Sequence, residues 1–233
     1  MKFFFLIGSI LTSFHLASEE VNDPFEDINR DIYEFNEKVD DAVLKPVAES
    51  YSNLPPKVKI GITNFFNNLE EVDTSINQLL QGKPKKSIND FTRFVINSTV
   101  GLGGFIDVAS KLGLERHEED FGQTLAVWGV GEGPYIMLPI LGPSTLRDTV
   151  SMPVSSFLSV TFHMTETDVN IALKSIDAIE TREKLLGVET LVTGDKYDFI
   201  KDAYIQSVNY EIQDGINVED NFLEDIDDFL IDE

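Results

Sequence analysis

The stretch of sequence that decides the fold is FTRFVINSTVGLGGFIDVA, residues 91–109. Its first half carries apolar residues at helical spacing, including Phe91, Phe94 and Val95. This spacing predicts an amphipathic helix that starts after Pro84. Three glycines within four residues then end that helix. The glycines do not match a nucleotide-binding loop, because no strand pattern precedes them and no Lys-Ser or Lys-Thr pair follows.

Helical spacing of apolar residues recurs on both sides of this stretch, and no segment of the sequence shows sustained strand alternation. Toward the N-terminus we predict a helix over residues 27–43, a second that begins at Pro56, and a short third that ends before Gly82. Proline is favoured in the first turn of a helix and glycine just after its end. Toward the C-terminus, Asp168 and Asp195 are expected to cap two more helices. The predicted fold class is all-α.

One long interval, residues 121–162, is almost free of charge. It holds only Glu132, Arg147 and Asp148, although 25% of the whole chain is charged. Glycines and prolines interrupt it repeatedly, so it cannot form one membrane-spanning helix. From the residues alone, such an interval is either the central core of the protein or a surface that faces lipid, and a core is the commoner of the two.

Composition excludes several classes of function. A formal net charge of −23 leaves no basic surface for nucleic acid, and any contact with a membrane must be apolar. The chain has no cysteine, which excludes disulfides, thiolate metal sites and a cysteine nucleophile. There is no Gly-x-Ser-x-Gly motif, and His117 and His163 lack metal-ligand spacing. We therefore predict no catalysis, no metal and no cofactor.

The two ends of the chain differ from its body. Residues 1–18 have the order of a secretory signal, with Lys2 before an apolar run and small residues after it. That run would span about 21 Å as a helix, less than the roughly 30 Å of a bilayer core. We predict a signal peptide, or a retained anchor, over residues 1–18, a helical domain over residues 22–214, and an acidic tail over residues 215–233.

A series of strings in the helical domain resembles the VacJ/MlaA family. The longest is the opening stretch, residues 91–109, and the order of the others is kept from about Asn22 to Asp214. The others are residues 22–30, 33–36, 64–71, 77–82, 119–125, 128–131, 133–135, 138–139, 142–144 and 146–148.

The resemblance implies a ring-like bundle of amphipathic helices with a Gly/Pro-rich hairpin, embedded in one leaflet of the bacterial outer membrane. It implies removal of mislocalised phospholipid from the outer leaflet through an amphipathic channel, which maintains lipid asymmetry, and no catalysed reaction. The implied partners are phospholipid, a porin trimer, a periplasmic lipid carrier and an inner-membrane transport complex. Family members typically carry a lipidated cysteine, so without one we expect an unacylated protein at the periplasmic leaflet. A soluble periplasmic lipid-binding or adaptor protein is the alternative.

The same resemblance suggests that residues 133–148 form the hairpin beside the channel, and changes the favoured interpretation of residues 121–162 from core to membrane face. We expect Gly133 and Gly142 to flex and Arg147 to meet a lipid phosphate. An alternative for Arg147 is a capped helix start with a surface ion pair. The candidate residues of the hairpin are Gly133, Tyr135, Leu138, Pro139, Gly142 and Arg147.

A second group of candidates lies in the first predicted helix. Tyr33, Phe35 and Asn36 match the family segment near which the ring closes on itself. For Phe35 alone, we favour a simple core position.

Overall fold

The protein consists of amphipathic helices and one short β-hairpin, and its computed structural model describes residues 22–164, 166–187, 192 and 194–214. The predicted signal segment and the whole of the predicted acidic tail lie outside these residues. The elements are α1 (Glu26–Val39), α2 (Lys45–Ser52), α3 (Pro56–Leu80), α4 (Pro84–Thr99), α5 (Phe121–Val127), β1 (Tyr135–Leu138), β2 (Gly142–Thr145), α6 (Leu146–Leu158), α7 (Val160–Met164), α8 (Thr167–Leu185) and α9 (Lys196–Ile212).

The first helix runs further than predicted. A π-helical turn, Asp40–Leu44, joins α1 to α2 without a break, and Pro46 lies in the first turn of α2. Inside a continuous helix, proline lacks the N–H and crowds the carbonyl four residues before it, here that of Ala42, which lies in the π-helical turn.

Helix α3 is one helix of 25 residues where we expected two. No glycine or proline lies between Gly61 and Gly82, so nothing in the chain ends the helix in this region. Its C-terminus is as predicted. Gly82 has φ +77°, its N–H bonds the Leu79 carbonyl, and the Lys83 N–H bonds the Gln78 carbonyl at 2.8 Å. These two bonds form a Schellman motif, which satisfies carbonyls that the helix end leaves free.

Helices α3 and α4 form a hairpin with a polar interior. Arg93 of α4 and Glu71 of α3 are each about 1% exposed, and the Arg93 Nε donates to Glu71 Oε1 at 2.7 Å. The surrounding buried residues are polar as well: Asn68, Thr74, Ser75, Asn77, Gln78, Ser87, Asp90 and Asn97. The apolar stripe of α4 faces outward instead, with Ile88 69%, Phe91 52% and Val95 44% exposed.

The same inversion holds across the rest of the described structure. Its buried apolar residues are Ala48, Phe66, Ala109, Tyr135, Met137, Tyr197 and Ile205, whereas 31 large apolar residues are exposed. Water-soluble monomers rarely expose apolar surface on this scale. The core interpretation of residues 121–162 is therefore wrong for most of that interval, because Trp128, Val150 and Phe157 lie on the surface.

No helix in the described part of the chain is long and apolar enough to cross a membrane.

One of the two predicted C-terminal caps is confirmed. Asp195 precedes α9, and its carboxylate accepts the Tyr197 N–H at 2.9 Å. The cap predicted at Asp168 is wrong, because α8 begins at Thr167 after Glu166. Asp168 lies instead in the first turn, where a negative charge interacts favourably with the helix dipole.

The polar interior makes a specific prediction for stability. Arg93→Met should lower the free energy of unfolding by about 3 to 5 kcal/mol, because it leaves the buried Glu71 carboxyl without its partner. Adding Glu71→Leu should restore part of that loss, since it removes the unpaired carboxyl, whereas Asp107 and the Leu114 carbonyl still lack the guanidinium. Chemical denaturation followed by circular dichroism in mild detergent measures both, and equal losses in the single and double variants would contradict the prediction.

Candidate functional site

The predicted hairpin exists and is a two-stranded antiparallel sheet. Strand β1 pairs with β2 so that Tyr135 lies opposite Thr145 and Leu138 opposite Gly142. The connecting residues 139–141 carry the exposed apolar side chains of Ile140 and Leu141 at the tip. The sequence did not reveal these strands, because four residues are too few to show alternation.

Helix α1 holds the hairpin with two asparagines. The Asn29 amide donates to the Tyr135 carbonyl at 3.1 Å and accepts from the Met137 N–H at 2.9 Å. The Asn36 amide makes the matching pair at the tip, donating to the Leu138 carbonyl at 2.9 Å and accepting from the Ile140 N–H at 2.7 Å. Asn side chains thus bond the free edge of β1 as a neighbouring strand would.

The spacing of the two asparagines fits the strand. Seven helical residues from Asn29 to Asn36 advance about 10.5 Å. The three steps from Tyr135 to Leu138 along a strand advance about 10 Å. A helix can therefore bond a strand edge at two points with asparagines seven residues apart. Such a pair is the sequence signal that would have identified Asn29, which the prediction missed.

The structure brings two of the three ring-closure candidates to this contact. Asn36 bonds the hairpin tip, and Tyr33 packs edge-on against Tyr197 of α9 at 5.8 Å between ring centroids. Phe35 is 48% exposed, so its predicted core position is wrong. Two residues of a helix turn about 200°, which places Phe35 on the face opposite Tyr33.

Both hairpin glycines have a backbone conformation that other residues rarely adopt. Gly133 has φ +72°, and a Cβ there would approach the Leu146 Cβ to 3.0 Å. Gly142 has φ +85°, and an added Cβ there would meet nothing within 4 Å. Only the backbone therefore demands glycine at position 142. Of the other candidates in the hairpin, Tyr135 is buried and Pro139 lies exposed at the turn.

Arg147 lies at the capped start of α6, as the alternative interpretation held. The Thr145 hydroxyl accepts the Asp148 N–H and donates to the Asp148 carboxylate at 2.8 Å. Arg147 Nε donates to the same carboxylate at 3.0 Å. The ion pair is buried, however, because Arg147 is only 6% exposed. Its Nη2 has no hydrogen-bond partner among the described residues.

Five neighbouring carboxyls form what we call the acidic recess: Glu70, Asp73, Glu118, Asp120 and Glu211. Desolvation by the surrounding protein raises the pKa of Glu70, Asp73 and Glu211 to about 7. The Glu70 side chain is nevertheless 55% exposed. Glu118 and Asp120 are exposed as well, and Asp73 and Glu211 are half-buried.

Neighbouring side chains join the members of the recess. Arg116 donates to Glu70 at 2.7 Å and pairs with Glu118. The negative charges of Glu118, Asp120 and Asp148 each raise the pKa of Glu211 further. Because 41 residues of the chain are acidic, the sequence offers no signal that separates these five from the rest.

In the sequence, the acidic string at residues 115–120 predicts a solvated helix start, and weak calcium binding is a much less favoured alternative. The helix start is confirmed, since Asp120 Oδ1 accepts the Gln123 N–H at 2.7 Å. The string is not solvated throughout, because Glu119 is buried and its carboxylate accepts hydrogen bonds from Lys83 and Gln81. Within the described ranges, no three His, Asp or Glu side chains converge as metal ligands.

The asparagine clamp yields a direct test. Asn36→Leu removes the acceptor of the Ile140 N–H, and one lost hydrogen bond of about 1 kcal/mol should speed amide exchange at the tip about fivefold. Phe35→Leu, at the neighbouring exposed position, should leave exchange unchanged. Hydrogen–deuterium exchange read by mass spectrometry distinguishes the two. Equal protection of residues 136–142 in Asn36→Leu and the parent protein would refute the clamp.

The recess makes stability depend on pH. A carboxyl whose pKa is raised by folding binds more protons in the native than in the unfolded state, so stability falls as pH rises from about 4 through 7. Carboxyls whose pKa is lowered by folding, such as Asp107, act in the opposite direction. They lose their contribution to stability only as the pH falls through their lowered pKa, which is well below the pH values compared here. We therefore expect a higher Tm at about pH 5.5 than at about pH 8.

Asp73→Asn keeps the oxygen that accepts from Asn77 and removes the charge. It should raise Tm at about pH 8 by about 2 to 6 °C and reduce the difference between the two pH values. Differential scanning fluorimetry measures both quantities. A Tm that rises between pH 5.5 and 8 in the parent protein would contradict the prediction.

Comparisons with known proteins agree with the resemblance seen in the sequence. The family model described as MlaA lipoprotein matches residues 21–211. The intermembrane phospholipid transport system lipoprotein MlaA of Escherichia coli K12 is 37% identical over 201 residues, covering 83% of this chain and 80% of that protein. The protein of the same name from Haemophilus influenzae is 36% identical over 221 residues, covering 89% of this chain and 88% of that protein.

A solved structure, described as the structural basis for maintenance of bacterial outer membrane lipid asymmetry, has the same fold. It superposes with a TM-score of 0.74 at 35% sequence identity, covering 82% of this chain and 98% of that chain. This agreement confirms both the predicted helical class and the recognition of the family. The chain belongs to the MlaA family.

Proposed function

We propose that this protein is a phospholipid transport component of the bacterial outer membrane that helps to maintain its lipid asymmetry. Its relatives in E. coli and H. influenzae are named as lipoproteins of an intermembrane phospholipid transport system. The similar solved structure concerns maintenance of outer membrane lipid asymmetry.

The observation that carries the proposal is the inversion of polarity. The buried interior of the α3–α4 hairpin is polar, and 31 large apolar residues lie on the described surface. A phospholipid that crosses a membrane needs a polar environment for its headgroup, since an unpaired charge in hydrocarbon is very costly. A polar interior inside an apolar exterior provides that environment.

We propose that the apolar exterior is embedded in one leaflet of the membrane. Its stripe on α6, Leu146, Val150, Val154 and Phe157, recurs every three or four residues and matches the stripe of Ile88, Phe91 and Val95 on α4. Relatives are named lipoproteins, whereas these 233 residues include no cysteine. We propose that the apolar exterior carries the attachment.

In this proposal the hairpin borders the passage, and Gly133 and Gly142 allow it to adjust. The acidic recess supplies the polar wall. Lipid received through the passage goes to a periplasmic carrier and an inner-membrane complex, and a porin trimer holds the protein in place, as the family resemblance implies. Transport of this kind breaks no bond, so the purified protein should release neither fatty acid nor headgroup from phospholipid.

Deletion of the protein should raise the phospholipid content of the outer leaflet, and the intact protein should restore it. Outer-leaflet phospholipid is measured by its accessibility to an added phospholipase. Normal asymmetry in the deletion strain would refute the proposed function.

Membrane association should depend on the apolar stripes. Phe91→Lys combined with Val95→Lys should shift the protein from the membrane pellet to the supernatant, because each charge is costly at the bilayer centre, by about 2.5 to 3.5 kcal/mol. The control pair, Phe91→Leu and Val95→Leu, should stay in the pellet. A parent protein found in the soluble fraction would favour the soluble lipid-binding or adaptor alternative.

The hairpin has a matched pair of glycines for a test of the passage. Gly142 and Gly129 both have a φ near +85° and no atoms within 4 Å of an added Cβ. Gly142→Val should change outer-leaflet phospholipid without unfolding the protein, whereas Gly129→Val, outside the hairpin, should strain the backbone equally and leave asymmetry normal. Circular dichroism confirms folding in each case. Equal effects of the two variants would contradict a role of the hairpin.

A further inference from the structure

The walls of the acidic recess come from distant parts of the chain. Glu70 and Asp73 belong to α3, Glu118 and Asp120 to the segment before α5, and Glu211 to α9. Asp120 raises the pKa of Asp73, and Glu118 raises those of Glu70 and Glu211. Contacts support this grouping, because Arg116 bonds Glu70 at 2.7 Å and also pairs with Glu118. Like charges from three parts of the chain thus lie near one another.

Few positive charges balance them. Arg116 pairs with Glu70 and Glu118, and Arg147 pairs with Asp148 behind Asp120. A Cβ on Gly122 would lie 2.6 Å from Asp148 Oδ1 and 3.2 Å from Asp120 Oδ1, so both carboxylates reach the same glycine. Seven carboxyls interact here, counting Asp148 and Asp177, and the basic groups that face them are Arg116, Arg147 and Lys184.

Gln123 provides an independent observation. It is 6% exposed, and its Nε2 donates to Glu211 Oε2 at 3.2 Å. Its Oε1, on the same amide, is buried and accepts no hydrogen bond from the part of the chain that the structure describes. A buried acceptor next to a recess carboxylate calls for a hydrogen-bond donor, and the cost of leaving it unpaired disappears if a ligand supplies one.

In the described part of the chain, Arg147 has an unpaired donor where Gln123 has an unpaired acceptor. Its Nε bonds Asp148, but its buried Nη2 has no acceptor among the residues described. The site therefore has an unused acceptor on Gln123 and an unused donor on Arg147. A phosphate and a primary ammonium group on one small headgroup match both, because ammonium donates and phosphate accepts.

We propose that the acidic recess binds the ammonium group of amine-bearing phospholipids, so that the passage takes phosphoethanolamine lipids in preference to phosphoglycerol lipids. This inference rests on the proposed transport function and adds a headgroup preference to it. The recess carboxylates and Gln123 Oε1 hold the ammonium group, and Arg147 meets the phosphate. A phosphoglycerol headgroup offers no positive charge, and its net negative charge is repelled.

The test is competition for binding to the intact purified protein in detergent. The protein is mixed with equal amounts of dioleoyl phosphatidylethanolamine and dioleoyl phosphatidylglycerol, and the bound lipid is extracted and quantified by mass spectrometry. We expect about fivefold enrichment of the ethanolamine lipid, in line with one partly solvated carboxylate–ammonium pair. Soluble phosphoethanolamine in excess should compete only weakly, since it lacks acyl chains.

Single substitutions test whether the recess carboxylates cause the preference for the ethanolamine lipid. Glu211→Gln keeps an acceptor for Gln123 Nε2 and removes the charge, so enrichment should fall to about twofold or less. Glu34→Gln, an exposed carboxylate on α1 outside the recess, should retain the full preference. Thermal unfolding of each variant verifies that it is folded, and Asp120→Asn provides a second recess variant if Glu211→Gln is not.

The outcomes separate the two proposals. Equal binding of both lipids overturns the headgroup preference and leaves the transport function standing. Enrichment that survives in a folded recess variant also overturns it, because the preference then arises elsewhere. If the protein binds neither lipid, the proposed transport function falls and the headgroup preference with it. Strong competition by soluble phosphoethanolamine alone would identify a site for a soluble amine and overturn the lipid proposal.

Discussion

The rest of the structure depends on the buried guanidinium of Arg93. Besides its bond to Glu71, it donates to the Leu114 carbonyl at 2.6 Å and the Ser110 hydroxyl at 3.0 Å. It thereby joins α3, α4 and the glycine-rich segment that follows α4. A charged group at this position requires polar neighbours, because an unpaired charge in the interior is costly. Once polar side chains fill the space between the two helices, the apolar stripe of α4 must face outward.

That constraint explains which sequence-based predictions succeeded. Periodicity locates the helices of the central region, and local chemistry identifies the ends at Pro56, Gly82 and Asp195. Periodicity does not say whether an apolar stripe faces a core or a membrane, since the spacing is the same in both cases. The outward stripe of α4 therefore could not be predicted from spacing, and the position of Phe35 was predicted wrongly for the same reason.

The site was predictable only in part. Glycines and prolines mark the hairpin, and the family resemblance points to Asn36, but the pairing of α1 with β1 joins residues about a hundred positions apart. The acidic recess is still harder to predict from the sequence, because folding gathers its carboxyls from separate parts of the chain and nothing in their local sequence distinguishes them. Hydrogen-bonding needs such as those of Gln123 and Arg147 exist only in the folded protein. In the proposed function, the clamped hairpin, the acidic recess and the apolar exterior together border a passage for an amphipathic molecule.

The most direct test of such a passage is where a phospholipid touches the protein. Two photoreactive phospholipids, one with the reactive group in the headgroup and one with it at the acyl end, would be cross-linked in membranes that contain the protein, and the labelled peptides identified. We predict headgroup labelling of the recess peptides around Glu70 and Glu211 and acyl labelling of the stripes around Phe91 and Val150. Headgroup labelling confined to the exterior, with an unlabelled recess, would contradict the passage.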